Sequence, residues 1–243
     1  MTKKRIMLLL PPLLGLIGAV VRFVQCGVVF EEETGLARPH ALSAVLPVYL
    51  LAAAVFFAVA ARKSKGKNLS WEEVFCPLSP SLLPLFVCAA MLYVVSGGCL
   101  LLSSLGGGEV LPLLLGAMAA VGGGALFFAV RTWRSGGAPG TALLLPMLFA
   151  VVWLLITYQD CAANPVVTAF YVQVLAQAAA AYAFYHLAAC GFSKGSRRVL
   201  RWILPVAVVL SFTALADGVD LPIRGMHLAS LLSLLGFWLC EKT

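Results

Sequence analysis

A few ionisable and amide side chains interrupt a sequence that is otherwise strongly apolar. Arg22 and Gln25 lie in the last turns of the first apolar run. Asp217 follows the seventh run, and His227 lies early in the eighth. Charged groups at membrane depth are costly and usually functional, so these four are candidate ligand-binding residues. We expect Arg22 to pair with Asp217 or Asp160 and to form a polar vestibule. The alternative is that these charges lie at headgroup level, with snorkelling side chains.

The sixth apolar run, residues 165–190, carries polar side chains on two faces. At 100° per residue, one broad face holds Tyr171 and Tyr182, and the amides Gln173 and Gln177 lie roughly opposite. Unpaired amides in hydrocarbon are costly, so this helix should contact protein or water on both sides. Its polar groups could form hydrogen bonds between helices, or they could line a ligand cavity. The candidate ligand-binding residues here are Asn164, Tyr171, Gln173, Gln177 and Tyr182.

The sequence carries no signature of a known catalytic chemistry. It contains no G-x-S-x-G, H-E-x-x-H or phosphate-binding loop, and its seven cysteines include no C-x-x-C pair. We therefore predict no catalytic residue, no metal site and no cofactor. A disulfide between Cys26 and Cys161 is conceivable, because both lie near the same predicted face of the membrane.

Composition places the chain in the membrane. It is 62% hydrophobic and 11% charged, with a mean hydropathy of +0.99; soluble domains carry about 25% charged residues. The sequence pI is about 9.2. Its basic residues form short clusters between apolar runs, which is a topology signal and predicts no nucleic-acid partner.

Eight apolar runs predict an all-α integral membrane bundle of about eight transmembrane helices, forming one domain over residues 1–243. The basic start MTKKR resembles a signal peptide, but the run after it is too long and is interpreted as an uncleaved first helix. Residues 69–81 are predicted to form a turn or two of amphipathic structure. The predicted helices are residues 6–29, 41–61, 82–102, 110–130, 141–158, 165–190, 199–216 and 223–240.

The distribution of basic residues predicts the orientation. If both termini are cytoplasmic, the inner segments hold fourteen of the 17 basic residues, and most acidic residues lie outside. Such a bias on short loops favours a multi-pass protein of a bacterial inner membrane, with its N- and C-termini in the cytoplasm.

The fourth run carries small residues four apart, at Gly116, Ala120 and Gly124. This spacing is typical of a close helix-packing face. The triple glycine at residues 122–124 could instead mark an unwound segment of the kind that some transporters use at a binding site.

Two stretches carry a resemblance to a known group of proteins. One is the F-x-x-x-T-G-L loop from Phe30 to Leu36. The other combines Asn164, Pro165, Val166 and Tyr171 with Gly191 and Phe192, followed by Asp217. The chain resembles uncharacterised multi-pass membrane proteins of Firmicutes. This resemblance implies an inner-membrane location and no particular activity.

Three hypotheses of function follow. The first is a small-molecule transporter, or its membrane-embedded binding subunit, because of the two-faced sixth helix and the polar vestibule. The second is a non-enzymatic sensor or assembly partner, whose small-residue faces would contact another membrane protein. The third is a lipid-modifying enzyme, which the missing motifs disfavour. The expected partners are membrane lipids, together with a small-molecule ligand or a membrane-protein partner.

Overall fold

The computed structural model describes residues 3–29, 40–64, 66–107, 110–161 and 166–242. Within these ranges the chain forms eight long helices, one single-turn helix and one small two-stranded sheet. In chain order the elements are α1 (Lys3–Val29), α2 (Leu42–Ala61), β1 (Lys67–Leu69), α3 (Trp71–Val74), α4 (Leu83–Gly107), α5 (Val110–Arg134), α6 (Gly140–Cys161), α7 (Val167–Gly191), β2 (Gly195–Ser196), α8 (Arg197–Ala214) and α9 (Leu221–Cys240).

The helices confirm the predicted all-α membrane bundle. Seven of the long helices described, all except α8, are long and apolar enough to cross a membrane. Helix α8 differs because it begins with Arg197, Arg198 and Arg201. Twelve of its 18 residues are buried, so it lies inside the bundle, shielded from lipid by α1, α2, α7 and α9. The chain is therefore a multi-pass membrane protein.

Several helices extend beyond the apolar runs that predicted them. Helix α5 continues to Arg134, four residues past its predicted end, and α4 continues five residues to Gly107. Backbone hydrogen bonding can continue past the end of an apolar run. At the end of α5, the long side chains of Arg131 and Arg134 can reach water. Residue 165, the predicted start of the sixth helix, lies outside the described residues.

Helices α4 and α5 approach each other closely at glycines. A methyl group added at Gly116 would lie 2.7 Å from the carbonyl oxygen of Gly97, and one at Gly123 would lie 2.7 Å from that of Ala90. The predicted packing face is thus correct for Gly116, but Gly124 faces open space. Helix α5 is continuous through residues 122–124, so the unwound alternative is wrong.

The prolines of α1 create a hydrogen-bond acceptor for a distant helix. Pro12 has no N–H, so the carbonyl of Leu8 loses its helical partner. The indole Nε1 of Trp238 in α9 donates to this carbonyl at 3.2 Å. Further along α1, the hydroxyl of Tyr49 in α2 donates to the carbonyl of Leu14 at 2.6 Å. These two bonds join α1 to α9 and to α2.

One end of the bundle is closed by the segment after α2 and by the C-terminus; we call it the Arg201 end. The amide of Lys242 donates to the carbonyl of Val74 at 2.8 Å, and the amide of Cys76 donates to that of Cys240 at 2.9 Å. Strands β1 and β2 pair antiparallel at the same end. Beneath them lies an aromatic cluster of Trp71, Phe75, Phe86, Trp133 and Phe237.

An ion pair with a buried carboxylate anchors this closure. Nε of Arg201 donates to Oε1 of Glu241 at 2.8 Å, and the two other guanidinium nitrogens bond the Ser64 hydroxyl and the Lys242 carbonyl, each at 3.1 Å. Glu241 is 5% exposed. Burial raises the pKa of Glu241, and its hydrogen bond and attraction to Arg201 act in the opposite direction. Arg201 therefore keeps a carboxylate stable where water cannot reach it.

We expect Arg201→Leu to destabilise the protein strongly, by about 3–5 kcal/mol, because it leaves the Glu241 carboxylate buried without its partner. Arg198→Leu is the matched control, since Arg198 is an exposed arginine of the same helix. Thermal unfolding of the detergent-purified protein measures both. Equal unfolding temperatures for the two variants would contradict this role for Arg201.

We expect Gly116→Leu to cost about 1–3 kcal/mol or to prevent folding, because the side chain would collide with the backbone of α4. Gly124→Leu should have little effect, since nothing lies within 4 Å of an added methyl group there. Size-exclusion profiles recorded after graded heating measure the stability of both variants. The packing assignment fails if Gly124→Leu is as harmful as Gly116→Leu.

Candidate functional site

A second ion pair, with both side chains buried, lies at the opposite end of the bundle, which we call the Arg22 end. Arg22 comes from α1, and Asp217 lies in the turn after α8; each side chain is only 1% exposed. Nε of Arg22 donates to Oδ1 of Asp217. The predicted pairing of Arg22 with Asp217 is therefore confirmed. The other candidate was Asp160, whose side chain lies outside the described residues.

Arg22 also connects two further helices, α7 directly and α2 through Gln25. Its Nη1 donates to Oε1 of Gln25 at 2.9 Å, and its Nη2 donates to the carbonyl of Ala169 in α7 at 2.6 Å. Gln25 in turn donates to the carbonyl of Leu42 at the start of α2, at 3.4 Å. The guanidinium carbon lies 5.6 Å from the centre of the Tyr171 ring, a cation–π distance. One arginine thus holds together α1, α2, α7 and the end of α8.

Opposing influences act on the Asp217 carboxylate. Burial raises the pKa of Asp217, while the charge and hydrogen bond of Arg22, the amide of Gln173 and the charge of Arg224 favour its ionised form. Oδ2 of Asp217 has no hydrogen-bond partner of normal geometry among the described residues, although Gln173 lies close enough to affect the pKa. A carboxylate oxygen can accept more than one hydrogen bond, so Oδ2 can accept from another group beside Gln173.

A cleft of about 260 Å³ adjoins the ion pair. It lies between α5, α6, α7, the segment that joins α8 to α9 and the first turn of α9. Gly218, the neighbour of Asp217 in the chain, forms part of its wall. Polar side chains of α6, of α7 and of the segment between α8 and α9 form part of this wall, whereas the rest of it is mainly apolar. The polar or ionisable side chains of the wall are Thr157, Cys161, Gln173 and Asp220.

Two more buried polar atoms lie close to the cleft without a described partner. Gln177 donates from Nε2 to Oγ1 of Thr157 at 2.9 Å, while its Oε1 is unpaired. His227 packs its ring 4.5 Å from the ring of Trp153, a wall residue, and its Nε2 is unpaired. Buried polar atoms in folded proteins nearly always have partners. Water or a ligand in the cleft would supply such partners.

Most of the predicted site residues come together. Gln25, Tyr171 and Gln173 lie around the Arg22–Asp217 pair, and Gln177 and His227 lie next to the cleft wall. These seven residues come from α1, α7, α9 and the turn after α8, so they converge only through the fold. Asn164, the eighth candidate, lies outside the described residues.

Tyr182, the ninth candidate, does not join the other candidates. Tyr182 shares a helical face with Tyr171, but eleven residues separate them, which is about 16 Å along the axis. Its side chain is 42% exposed, and its ring lies 4.6 Å from the ring of His186, away from the cleft. Angular position alone therefore grouped residues that lie at different depths.

The sequence interpretation missed Trp153 and Thr157, which form much of the cleft wall on α6. Thr157 could have been identified from the sequence, because it places a hydroxyl group near the end of an apolar run. Cys26 and Cys161 do not form the conceivable disulfide. Among the described residues, no group of three His, Cys, Asp or Glu side chains could hold a metal ion.

Comparison with known proteins finds no family whose model matches this sequence, no similar curated protein and no similar solved structure. The class of protein and its candidate site are therefore defined by the structure alone. It is a multi-pass helical membrane protein with a polar cleft beside a buried ion pair.

We expect Arg22→Met and Asp217→Asn to show strong coupling. Removing the arginine alone should cost about 3–5 kcal/mol, because a carboxylate then stays buried without its partner. The double variant should be more stable than the sum of the single losses predicts. Thermal unfolding of all three variants measures the coupling, and Arg131→Met, at an exposed arginine of the opposite end, serves as the control. Additive losses would contradict a direct ion pair.

Proposed function

We propose that the protein binds a small polar molecule within the membrane, as a transporter or as the membrane-embedded binding subunit of one. The main observation that supports this proposal is the cleft beside the Arg22–Asp217 pair, with unpaired polar atoms next to its wall. The volume is close to the lower limit for ligand pockets, roughly 300 Å³. A purely structural ion pair requires no such cleft beside it.

The atoms next to the cleft favour a ligand that donates hydrogen bonds. The unpaired oxygens of Asp217 and Gln177 are acceptors, and Asp220 adds a carboxylate to the wall. A small amine, ammonium or polyhydroxylated molecule would satisfy them. Such a ligand would also replace the hydration that these buried groups otherwise lack.

We infer that the cleft opens on the outer side of a bacterial inner membrane. Basic residues are concentrated at the Arg201 end, where Arg62, Lys63, Arg134, Lys194 and Arg197 flank the helix ends. The positive-inside rule assigns such an end to the cytoplasm. The chain termini would then be cytoplasmic, and the C-terminal closure would be the inner barrier during transport.

The assembly-partner alternative loses part of its support, because Gly116 packs within the chain against α4 and is not free for another protein. The lipid-modifying enzyme also gains no support from the cleft. The sequence carries none of the catalytic motifs sought, and His227 is not among the residues of the cleft wall. We therefore retain the binding and transport proposal.

We expect a thermal-shift screen of the detergent-purified protein against amines, polyols and other small metabolites to identify a stabilising ligand. A ligand at about 100 times its dissociation constant adds about 2.7 kcal/mol to the unfolding free energy. Gln173→Leu should abolish this shift, because it removes an amide from the cleft wall. Gln159→Leu should keep it, because Gln159 is exposed and does not line the cleft.

The outcomes separate the hypotheses. A shift lost in Gln173→Leu and retained in Gln159→Leu supports the cleft as the binding site. Uptake of that ligand by reconstituted vesicles would then identify a transporter, and binding without uptake would identify a binding subunit. A screen without any stabilising compound, on protein that unfolds cooperatively, would contradict the proposal.

A further inference from the structure

A second cavity lies between α2, α7 and α8 and shares no wall residue with the polar cleft. It is a groove of about 300 Å³. Its wall is apolar except at one position, where Tyr171 contributes a ring and a hydroxyl. Representative wall residues are Pro47, Leu50, Ala54, Tyr171, Leu175 and Val209.

The groove is continuous with the surface that the bilayer covers. Leu51 and Leu175, both in its wall, are 66% and 45% exposed. Val48 and Val55, on the same helix as Leu51, are exposed as well. In a membrane-spanning bundle such apolar exposure is exposure to lipid chains. A lipid tail can therefore enter the groove from the side without crossing water.

The long axis of the groove also runs in the direction that a lipid tail takes in the bilayer. It begins at Pro47, near the start of α2 at the Arg22 end, and reaches Ala54, about 10 Å deeper along the helix. One leaflet of hydrocarbon is about 15 Å thick, half of a bilayer core. At the deep end, Trp202 donates its indole N–H to the carbonyl of Ala54 at 3.2 Å. Tyr171 lies at the other end, in the second turn of α7.

Tyr171 marks the end where a lipid headgroup would lie. Its hydroxyl is buried and has no hydrogen-bond partner among the described residues. A buried unsatisfied hydroxyl is costly and needs an acceptor. The ester carbonyl of a phospholipid joins an acyl chain to its headgroup, so it would reach this depth when the chain fills the groove.

We propose that this groove binds one acyl chain of a membrane phospholipid, whose ester carbonyl accepts a hydrogen bond from Tyr171. The lipid would come from the leaflet at the Arg22 end. Because the Tyr171 ring lies against the Arg22 guanidinium, the bound lipid would support the wall of the ion-pair cluster from the bilayer side.

Native mass spectrometry of the full chain tests this site. The protein is reconstituted in vesicles of phosphatidylethanolamine and phosphatidylglycerol, re-extracted in mild detergent and washed, and its adducts are weighed. Wild-type protein should retain one phospholipid. Ala54→Phe should lose it by filling the groove, whereas Ala52→Phe should retain it, because Ala52 is exposed on the same helix outside the groove.

Two further variants complete the test. Tyr171→Phe should weaken retention about fivefold, the contribution of one hydrogen bond. Leu175→Trp blocks the groove at its exposed rim and replaces Ala54→Phe if that variant does not fold. Wild-type protein without a phospholipid, an adduct with the mass of a free fatty acid, or equal retention in blocked and control variants would overturn the proposal.

Discussion

The buried Arg22–Asp217 ion pair is the interaction on which the Arg22 end of the molecule depends. A guanidinium with 1% exposure is stable only if nearly all of its donors are paired. Arg22 meets this requirement with Asp217, Gln25 and the Ala169 carbonyl, which fixes α1, α2, α7 and the end of α8 relative to one another. The polar cleft is a consequence, because the same turn that carries Asp217 continues into its wall.

Helix α8 connects this end to the other one. An arginine–carboxylate pair lies at each end of it: Arg22 with Asp217 after its last turn, and Arg201 with Glu241 near its first. The helix is the least apolar of the long helices described, yet most of it is buried. Its neighbours provide the apolar environment, and the two ion pairs satisfy charges that lipid could not.

Much of the fold was predictable because hydrophobic length is a strong signal in membrane proteins. The eight long helices and the Arg22–Asp217 pair followed from apolar runs and the cost of buried charge. The cleft could not be predicted, since Trp153 and Thr157 come from a helix whose sequence shows no polar face. The separation of Tyr182 from the other candidates was not predictable, because helical angle carries no information on depth. The closure by Glu241 and Lys242 depends on contacts across the chain, which no local pattern reveals.

We propose that a hydrated cleft lies beside the ion pair and opens on the outer side of the membrane. The most direct test introduces Gly218→Cys, a wall position with space for a side chain, into a variant whose seven native cysteines are replaced. A membrane-impermeant maleimide is then applied to right-side-out and inside-out vesicles. The account predicts labelling from the outer side only. Absence of labelling, or labelling only in inside-out vesicles, would contradict it.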